Sequence, residues 1–276
     1  TTGSGRRLSR PPALPDINKI RRKANFFVEA VFNFFRKLWS DFYDCFIAHD
    51  FYSLYLRGLR NTVIIAFGAC LLGLIIGIIV TCVRIAPKKL FIMRLLDKIA
   101  KIYVTVIRGT PVVLQLFICY FVLLKSINSA SLFGIKDTDG IFVAILTFGI
   151  NSGAYMAEIL RGGINSVDYG QTEAGRSLGL SWTKTFIKIV LPQAMKSAIP
   201  TVFNEFITLI KETSVAGYVG IIDLTKIQKY VTTQSMKMYM PLFIIAAIYL
   251  IIVLGLGQVQ KAIENNLSRG ERNHAK

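Results

Sequence analysis

The sequence predicts an all-α membrane protein with five transmembrane helices, and two observations support this prediction. First, the chain of 276 residues is 53% apolar with a mean hydropathy of +0.50, and several apolar runs approach or exceed the roughly 18 residues that cross the hydrocarbon core of a bilayer. Second, the basic residues that give the chain a net charge of +17 stand beside these runs, as the positive-inside rule expects. The charge does not indicate nucleic-acid binding, because no basic segment has the base-stacking pattern of such modules.

The cysteines and histidines argue against several classes of membrane enzyme. The four cysteines have no paired spacing: Cys45, Cys70, Cys82 and Cys119. Three of them fall within or at the ends of apolar runs, where cysteine behaves as a small hydrophobic residue. Both histidines lie outside every apolar run. We therefore expect no metal site, no haem and no cofactor bound by this chain.

The first 48 residues divide into two segments. Residues 1–25 contain seven Lys or Arg, one acid and three prolines, which predicts a disordered basic tail. Residues 26–48 are rich in aromatic side chains but also contain charges such as Glu29, Arg36 and Lys37. Because each charge would cost about 2.5–3.5 kcal/mol at the bilayer centre, this segment is predicted to be an interfacial amphipathic helix.

A single domain of five membrane-spanning helices is predicted over residues 50–262. Its five spans are expected at about 61–83, 102–124, 140–160, 199–221 and 240–259. The first span holds Ala69, Gly73 and Gly77 at four-residue intervals, a small face that favours close packing of helices within the subunit.

Charge bias orients these spans. The connector after the first span and the tail 263–276 are basic, which places both in the cytoplasm, whereas the connector 125–139 has balanced charge. The C-terminus is therefore predicted to be cytoplasmic and the N-terminus extracytoplasmic. That orientation conflicts with the seven positive charges of residues 1–25.

The second predicted span contains a structural break at Arg108-Gly109-Thr110-Pro111. Proline lacks a backbone donor and pushes the residue before it out of helical geometry. We therefore expect a kink near the cytoplasmic end of this span. Arg108 is interpreted as an interfacial or structural charge rather than as a ligand of a substrate carboxylate.

A polar, basic segment of about residues 161–197 separates the third and fourth spans. Asp168 followed by Gln171 resembles a capping box, and Gly179 can end the resulting helix in a left-handed conformation. Ser181 would cap a second helix that Pro192 limits. The expected structure is a cytoplasmic helix–turn–helix, although these signals alone equally fit a plain amphipathic connector.

The order of motifs decides between these interpretations. Glu173-Ala174-Gly175, Gly179 and the closing Ile189-Val-Leu191-Pro192 resemble the EAA loop of ABC importer permeases. Further motifs resemble the polar amino-acid uptake branch, which includes histidine, glutamate, glutamine, arginine and opine permeases. They lie at 108–117, 153–164, 170–171, 191–194 and 204–214. The resemblance covers about residues 50–262 and omits 1–48. Gly175 replaces the usual Ala, and Glu212 stands where Asp is more frequent.

This resemblance implies the type I ABC importer permease fold and a multi-pass protein of the bacterial plasma membrane. It implies a second permease subunit, identical or paralogous, two cytoplasmic ATPase subunits and an extracytoplasmic amino-acid-binding protein. ATP and Mg²⁺ would bind in the ATPase, since this chain has no Gly-rich Lys-Ser/Thr phosphate loop, and the chain itself is expected not to be an enzyme. The residues implied to couple it to the ATPase are Gln171, Glu173, Ala174, Gly175, Leu178, Gly179 and Leu180.

Polar residues within the predicted spans are candidates for the translocation pathway, because ionisable groups in a bilayer are usually functional. The candidates are Asn151, Glu158, Asn204, Glu205, Thr208, Lys211 and Glu212. Glu205 and Glu212 are seven residues apart and share one helical face. They could contact a substrate, or they could form an ion-pair network with Asn204 and Lys211. Glu158 could simply pair with Arg161, three residues later.

Two other functions compete with an amino-acid importer. An ABC permease for another small solute would share the coupling motif. An ion-coupled secondary transporter would show broken helices in matching positions of two repeats, and the polar fourth span has no convincing twin. An intramembrane enzyme lacks a credible catalytic set. The sequence does not determine which amino acid is carried.

Overall fold

The structure is a computed structural model and describes residues 17–124 and 140–274. Within these two ranges the chain forms ten α-helices joined by short 3-10 and π-helical segments, and no β-strand. The helices are α1 (Ile17–Phe42), α2 (Phe51–Ile85), α3 (Phe91–Gly109), α4 (Val112–Phe117), α5 (Ile141–Asn165), α6 (Tyr169–Ser177), α7 (Trp182–Thr185), α8 (Leu191–Glu212), α9 (Leu224–Ser235) and α10 (Tyr239–His274). The predicted all-α class is confirmed.

Two parallel helices, α2 and α5, form the centre of the bundle. Gly73 of α2 lies against Ser152 of α5, and four residues later Gly77 lies against Met156. A Cβ atom added at Gly77 would stand 2.5 Å from the Cβ of Met156, which means that the two backbones touch. Further along, the hydroxyl of Thr81 donates to the carbonyl of Ala157 at 3.1 Å.

The bundle has two distinct ends. α5 leads directly into α6 and α7, and α8 begins there, with the side chain of Gln260 on α10 reaching the carbonyl of Pro200 at 3.5 Å. At the opposite end, Asn61 near the start of α2 donates to the carbonyl of Ile222 at 2.9 Å. We refer to these as the α6–α7 end and the distal end. The segment that contains α9 lies at the distal end.

The predicted second span is a bent helix pair. α3 ends at Gly109, Thr110 and Pro111 are extended, and the chain resumes as α4 and continues as a π-helical segment to Leu124. The axes of the two parts differ by 105°. Proline at 111 and the restriction it places on Thr110 account for the break at this position. The predicted connector 125–139 lies outside the described residues.

Several helices extend beyond their predicted limits. Of the predicted disordered tail 1–25, residues 17–25 belong to α1, and residues 1–16 lie outside the described range. In the sequence, Ile17, Ile20 and Ala24 continue the helical spacing of apolar residues. The predicted interfacial segment 26–48 is α-helical only to Phe42, and a π-helical turn and a 3-10 turn with positive φ at His49 follow.

α10 continues through the predicted basic tail to His274, and α9 is an element that the apolar pattern did not predict. Apolar runs mark the membrane-embedded part of a helix and not its polar extensions.

The number of membrane spans remains a prediction. Among the described helices, three are long and apolar enough to cross a membrane: α2, within the continuous run Asn25–Ile85, then α5, and Tyr239–Leu267 of α10. The bent pair would be a fourth. α8, the predicted fourth span, is not among them, and it carries Glu205, Lys211 and Glu212.

Candidate functional site

The polar segment after α5 folds as the predicted helix–turn–helix. A carboxylate oxygen of Asp168 accepts a hydrogen bond from the backbone N–H of Gly170 at 2.6 Å, which caps α6. Gly179 turns the chain with a φ of +80°, a conformation that glycine adopts without strain. The hydroxyl of Ser181 then accepts from the N–H of Lys184 at 3.4 Å and caps α7.

Gly175 joins the two short helices. A Cβ added there would meet Thr185 Cγ2 at 2.7 Å and Ile189 Cδ1 at 2.8 Å. Thr185 is fully buried beneath this contact. The glycine in the third position of the Glu-Ala-Gly motif therefore permits the close packing of α6 on the following helical segment.

The other predicted coupling residues are accessible. Leu178 is 82% exposed at the tip of the pair. Gln171, Glu173, Ala174 and Gly179 are also exposed, and Leu180 is half-buried. The pair presents a surface of mixed apolar and charged side chains to its surroundings, with Gly175 alone of the seven predicted residues buried.

The predicted end of the second helix at Pro192 is wrong. α7 passes into a π-helical turn over Phe186–Val190, and both Val190 and Leu191 have helical backbone angles. α8 therefore begins at Leu191, and Pro192 lies in its first turn. A proline is tolerated there because the first N–H groups of a helix have no partner within it.

Inside the bundle, α5 presents two buried polar residues to neighbouring helices. Asn151 donates from Nδ2 to the Oε1 of Gln115 on α4 at 2.9 Å. The hydroxyl of the next residue, Ser152, donates to the Oε1 of Glu205 on α8 at 3.0 Å. Two of the predicted pathway residues therefore lie close together: Asn151 is on α5, and Glu205 of α8 contacts the next residue of α5, Ser152.

One of the two interpretations of Glu205 and Glu212, an ion-pair network along α8, is not observed among the described residues. Neither carboxylate has a basic partner within 4.0 Å there, and the side chain of Glu205 turns toward α5. Thr208 donates its hydroxyl to the carbonyl of Asn204 at 3.0 Å. Asn204 and Lys211 are exposed, whereas Glu205, Thr208 and Glu212 are half-buried.

Glu158 is the centre of a cluster of arginines drawn from three helices. Arg161 pairs with it at 2.5 Å within α5, as predicted, and Arg84 of α2 donates to its Oε1. Arg108 of α3 stands 4.0 Å from its Oε2 and 5.1 Å above the ring of Tyr155. The contacts of Arg108 therefore lie within a structural charge cluster.

Gln115, within the motif at 108–117, is a site residue that the sequence did not single out. Its Nε2 donates to the carbonyls of Ile107 at 2.8 Å and Thr110 at 3.2 Å, and to the hydroxyl of Thr110 at 2.8 Å. These groups lie at the end of α3, where the break leaves carbonyls without helical partners. A lone amide in an apolar run was the available signal. Gly109, beside the break, has open space where a Cβ would stand.

Within the described part of the chain, no three His, Cys, Asp or Glu side chains group so as to hold a metal ion. The arrangement offers a polar contact zone between α4, α5 and α8, and an exposed helix pair at the end of α5. Such an arrangement can transmit movement of the pair to the polar zone through one continuous helix.

The helical fold, with its broken helix and its exposed helix pair, is that of a type I ABC importer permease. The chain covers 94% of a chain in the crystal structure of an amino acid ABC transporter with histidines, with a TM-score of 0.69 and 31% sequence identity over 78% of the present chain. The inward-facing MetNI methionine ABC transporter gives a TM-score of 0.60 over 78% of this chain and 99% of that one. At 18% identity that likeness shows the fold alone.

The chain belongs to the family of binding-protein-dependent transport system inner membrane components, whose model matches residues 71–269. It is 36% identical over 216 residues to the arginine transport system permease protein ArtQ of Bacillus subtilis, covering 78% of this chain and 93% of that protein. It is also 36% identical over 200 residues to a putative glutamine transport system permease protein GlnP of Rickettsia bellii, covering 72% and 86%. It is therefore a multi-pass membrane permease.

Proposed function

We propose that this chain is the transmembrane permease subunit of an ATP-driven importer for polar amino acids. The observation that carries the proposal is the continuity of α5 with the exposed α6–α7 pair. The helix that holds Asn151 and Ser152 in the bundle leads within a few residues to the surface that resembles the EAA loop. Its arginine, glutamine and cystine permease relatives support the substrate class.

In this function the chain is not the enzyme of the complex. Two ATPase subunits bind ATP and Mg²⁺, and their closure moves α6 and α7 and, through α5 and α8, the membrane helices. ATP shifts the balance between inward-open and outward-open states only because it binds the two states with different affinity. A second permease subunit and an extracytoplasmic amino-acid-binding protein complete the importer.

The proposed orientation follows from the ATPase contact. The α6–α7 end and the C-terminus face the cytoplasm of the bacterial cell, and the distal end, with the start of α2, faces outward. This places the amino-terminal segment on the outer side. The basic charge of residues 1–25 then needs an explanation other than cytoplasmic retention.

Co-purification of the ATPase tests the coupling role. Glu173→Lys reverses a charge on the exposed face of α6, and like charges juxtaposed at an interface cost several kcal/mol. We expect the ATPase recovered with a tagged permease to fall sharply. Gln234→Lys adds a charge at an exposed position of α9 at the distal end and should leave recovery unchanged. Equal recovery of ATPase with Glu173→Lys would contradict the proposed contact.

A panel of solutes tests the substrate class. The assembled complex is reconstituted in vesicles with its cognate binding protein, and ATPase activity is measured with polar amino acids, apolar amino acids, sugars and phosphate. Stimulation by one or more polar amino acids is expected. Stimulation only by a solute of another class would assign the chain to an importer of that solute.

Glu205 and Glu212 are proposed to recognise a zwitterionic or cationic amino acid or to position the gate around it. Glu205→Gln and Glu212→Gln should weaken the apparent substrate affinity or the substrate-stimulated ATPase activity, since each removes a charge that the substrate amine could meet. Glu264→Gln, on the last helix at the α6–α7 end, is the matched control. Unchanged affinity and ATPase activity in both variants would remove these carboxylates from the site.

A further inference from the structure

The amino-terminal helix α1 is not explained by the importer function. The match to the family model covers residues 71–269 and does not include this helix. The helix is long, running from Ile17 to Phe42, and most of its described side chains are exposed. An element that exposes so many aromatic side chains requires a surface to cover them.

The apolar side chains of α1 form a continuous stripe. Val28, Phe32, Phe35 and Trp39 follow one another at intervals of three or four residues, and the adjoining row contains Phe27, Val31, Phe34, Leu38 and Phe42. Phe32, Phe35 and Trp39 are 67%, 61% and 66% exposed. The opposite face carries Glu29, Asn33, Arg36 and Ser40 at the same spacing. The helix is therefore amphipathic over residues 27–42.

The carboxyl-terminal end of this stripe lies beside α10. A groove of about 580 Å³ runs between α1 and the start of α10, and every residue that lines it is apolar: Phe34, Phe35, Leu38, Trp39, Phe42, Met240 and Phe243. Phe243 is 66% exposed, and further along α10 Leu250, Ile251 and Leu254 are also exposed. The apolar stripe of α1 is thus continuous with a surface of α10 that faces lipid in a membrane protein.

An ion-pair cluster fixes the end of α1 to the bundle. Lys237, in the turn before α10, donates to Asp41 Oδ1 at 2.6 Å and to Asp44 Oδ2 at 2.5 Å. The hydrogen bonds that Lys237 donates to Asp41 and to Asp44 raise the pKa of the lysine above its ordinary value. Beside the cluster, Cys45 is buried, and its Sγ lies 3.6 Å from the hydroxyl of Ser235.

The charge of α1 distinguishes between kinds of surface. Its sequence, residues 17–42, contains six basic residues and two acidic ones, and one of the acids, Asp41, is already paired with Lys237. Four of the basic residues, Lys19, Arg21, Arg22 and Lys23, stand in the first two turns of the helix, before the stripe. A helix that combines many basic residues with a stripe of Phe, Leu and Trp has the composition of helices that lie in the membrane interface. Basic segments of this kind are attracted to anionic headgroups.

From these observations we propose that α1 lies in the headgroup region of an anionic phospholipid bilayer at the distal end of the permease. The stripe faces the acyl chains, and the basic residues meet the phosphate groups. The Lys237 cluster ties the lipid-bound helix to the start of α10. A protein occupant is disfavoured because the groove opens onto α10, and such a partner would have to displace lipid from a membrane helix. This inference does not depend on which solute is transported.

The two tryptophans of the chain, Trp39 and Trp182, provide the test. Trp182→Phe leaves Trp39 as the sole reporter on α1, and Trp39→Phe leaves Trp182 at the α6–α7 end as the control. Each variant is purified as the full-length permease without its partner proteins, so that no other tryptophan contributes, and is reconstituted in bilayers that contain phospholipid brominated on the acyl chains near the headgroup. Tryptophan at this depth meets the bromines, so we expect about a twofold loss of Trp39 emission. Trp182 should instead be quenched by acrylamide in the aqueous phase.

The preference for anionic lipid is tested in the same system. At equal mole fraction, brominated phosphatidylglycerol should quench Trp39 more than brominated phosphatidylcholine. Replacing Arg36 and Lys37 together by Gln should reduce this difference while quenching by both lipids persists. Equal quenching of the unmodified helix by the two lipids would refute the anionic preference.

Other outcomes would overturn the bilayer contact itself. Trp39 quenched by acrylamide but not by brominated lipid would place α1 in water. Trp39 protected from both quenchers would show that a protein, either a partner or a second copy, covers the stripe. For the tether, Lys237→Met should lower the fluorescence anisotropy of Trp39, and Lys237→Arg should restore it. Unchanged anisotropy in Lys237→Met would refute the tether without affecting the lipid contact.

Discussion

At the scale of single residues, Glu158 shows how a side chain near a helix end acquires a structural role. Its side chain is 19% exposed, and it neutralises guanidinium groups from α2 and α5, with Arg108 of α3 nearby. Removing one member of such a cluster leaves the remaining charges poorly compensated, so the loss exceeds the worth of a surface ion pair. The cluster holds three helices together beside the α6–α7 end.

Glu158→Gln should lower the free energy of unfolding of the permease by about 1.5–3 kcal/mol, the range for hydrogen bonds to charged groups. Arg161→Gln should cost less, because Arg84 remains paired with the carboxylate. Thermal unfolding of the purified subunit in detergent measures both. Glu173→Gln, on the exposed face of α6, is the control. A Glu158 variant as stable as this control would refute the structural role.

At the scale of elements, the break between α3 and α4 has a local cause in the sequence and is stabilised by the side chain of Gln115, which also contacts α5. Pro111 and the restricted Thr110 produce the bend. Gln115 then satisfies carbonyl groups that the bend leaves free, and its own oxygen accepts from Asn151. One amide side chain therefore stabilises the bend and attaches it to α5.

Gln115→Leu keeps the approximate size of the side chain but removes both functions. The carbonyls of Ile107 and Thr110 and the amide of Asn151 would each lose a partner, so a loss of about 1–3 kcal/mol is expected. Gln193→Leu removes a similar amide at an exposed position of α8, where Nε2 bonds to the carbonyl of Ile189 at 2.9 Å, and should have little effect. The two variants are compared by thermal unfolding, and equal stability would contradict the role of Gln115 in stabilising the bend.

At the scale of the whole molecule, the parallel contact of α2 with α5 sets the position of both ends of the bundle. The small residues of α2 permit this contact, and van der Waals packing rather than the hydrophobic effect holds helices together in a bilayer. Because α5 leads into α6 and α7, the register between α2 and α5 also determines where that exposed pair lies.

Gly77→Val should therefore separate the central helices. The added Cβ would meet Met156 Cβ at 2.5 Å and the backbone nitrogen of Ala157 at 3.1 Å, and such overpacking costs about 1–3 kcal/mol or more. Gly257→Val, on α10 with no atom within 4 Å of the new Cβ, is the control. Yield of monodisperse protein and unfolding temperature should fall for Gly77→Val only. Tolerance of valine at Gly77 would refute the close contact.

The sequence by itself determined the all-helical class, the family, the helix break and the exposed helix pair. Each of these depends on local chemistry: the length of apolar runs, the fixed φ of Pro111, the cap at Asp168 and the freedom of Gly179. It did not reveal α9 or the polar extension of α10, because helices outside the bilayer lack an apolar run.

Only the tertiary structure decided which polar side chains meet. Glu205 bonds to Ser152, which is 53 residues away, Arg84 meets Glu158 across 74 residues, and Lys237 meets Asp41 across 196. Helical spacing predicts which residues share a face, but not which helix that face meets. The rotation and register of packed helices decide those pairs. For this reason the sequence suggested an ion-pair network along α8, and the structure instead joined α8 to α5.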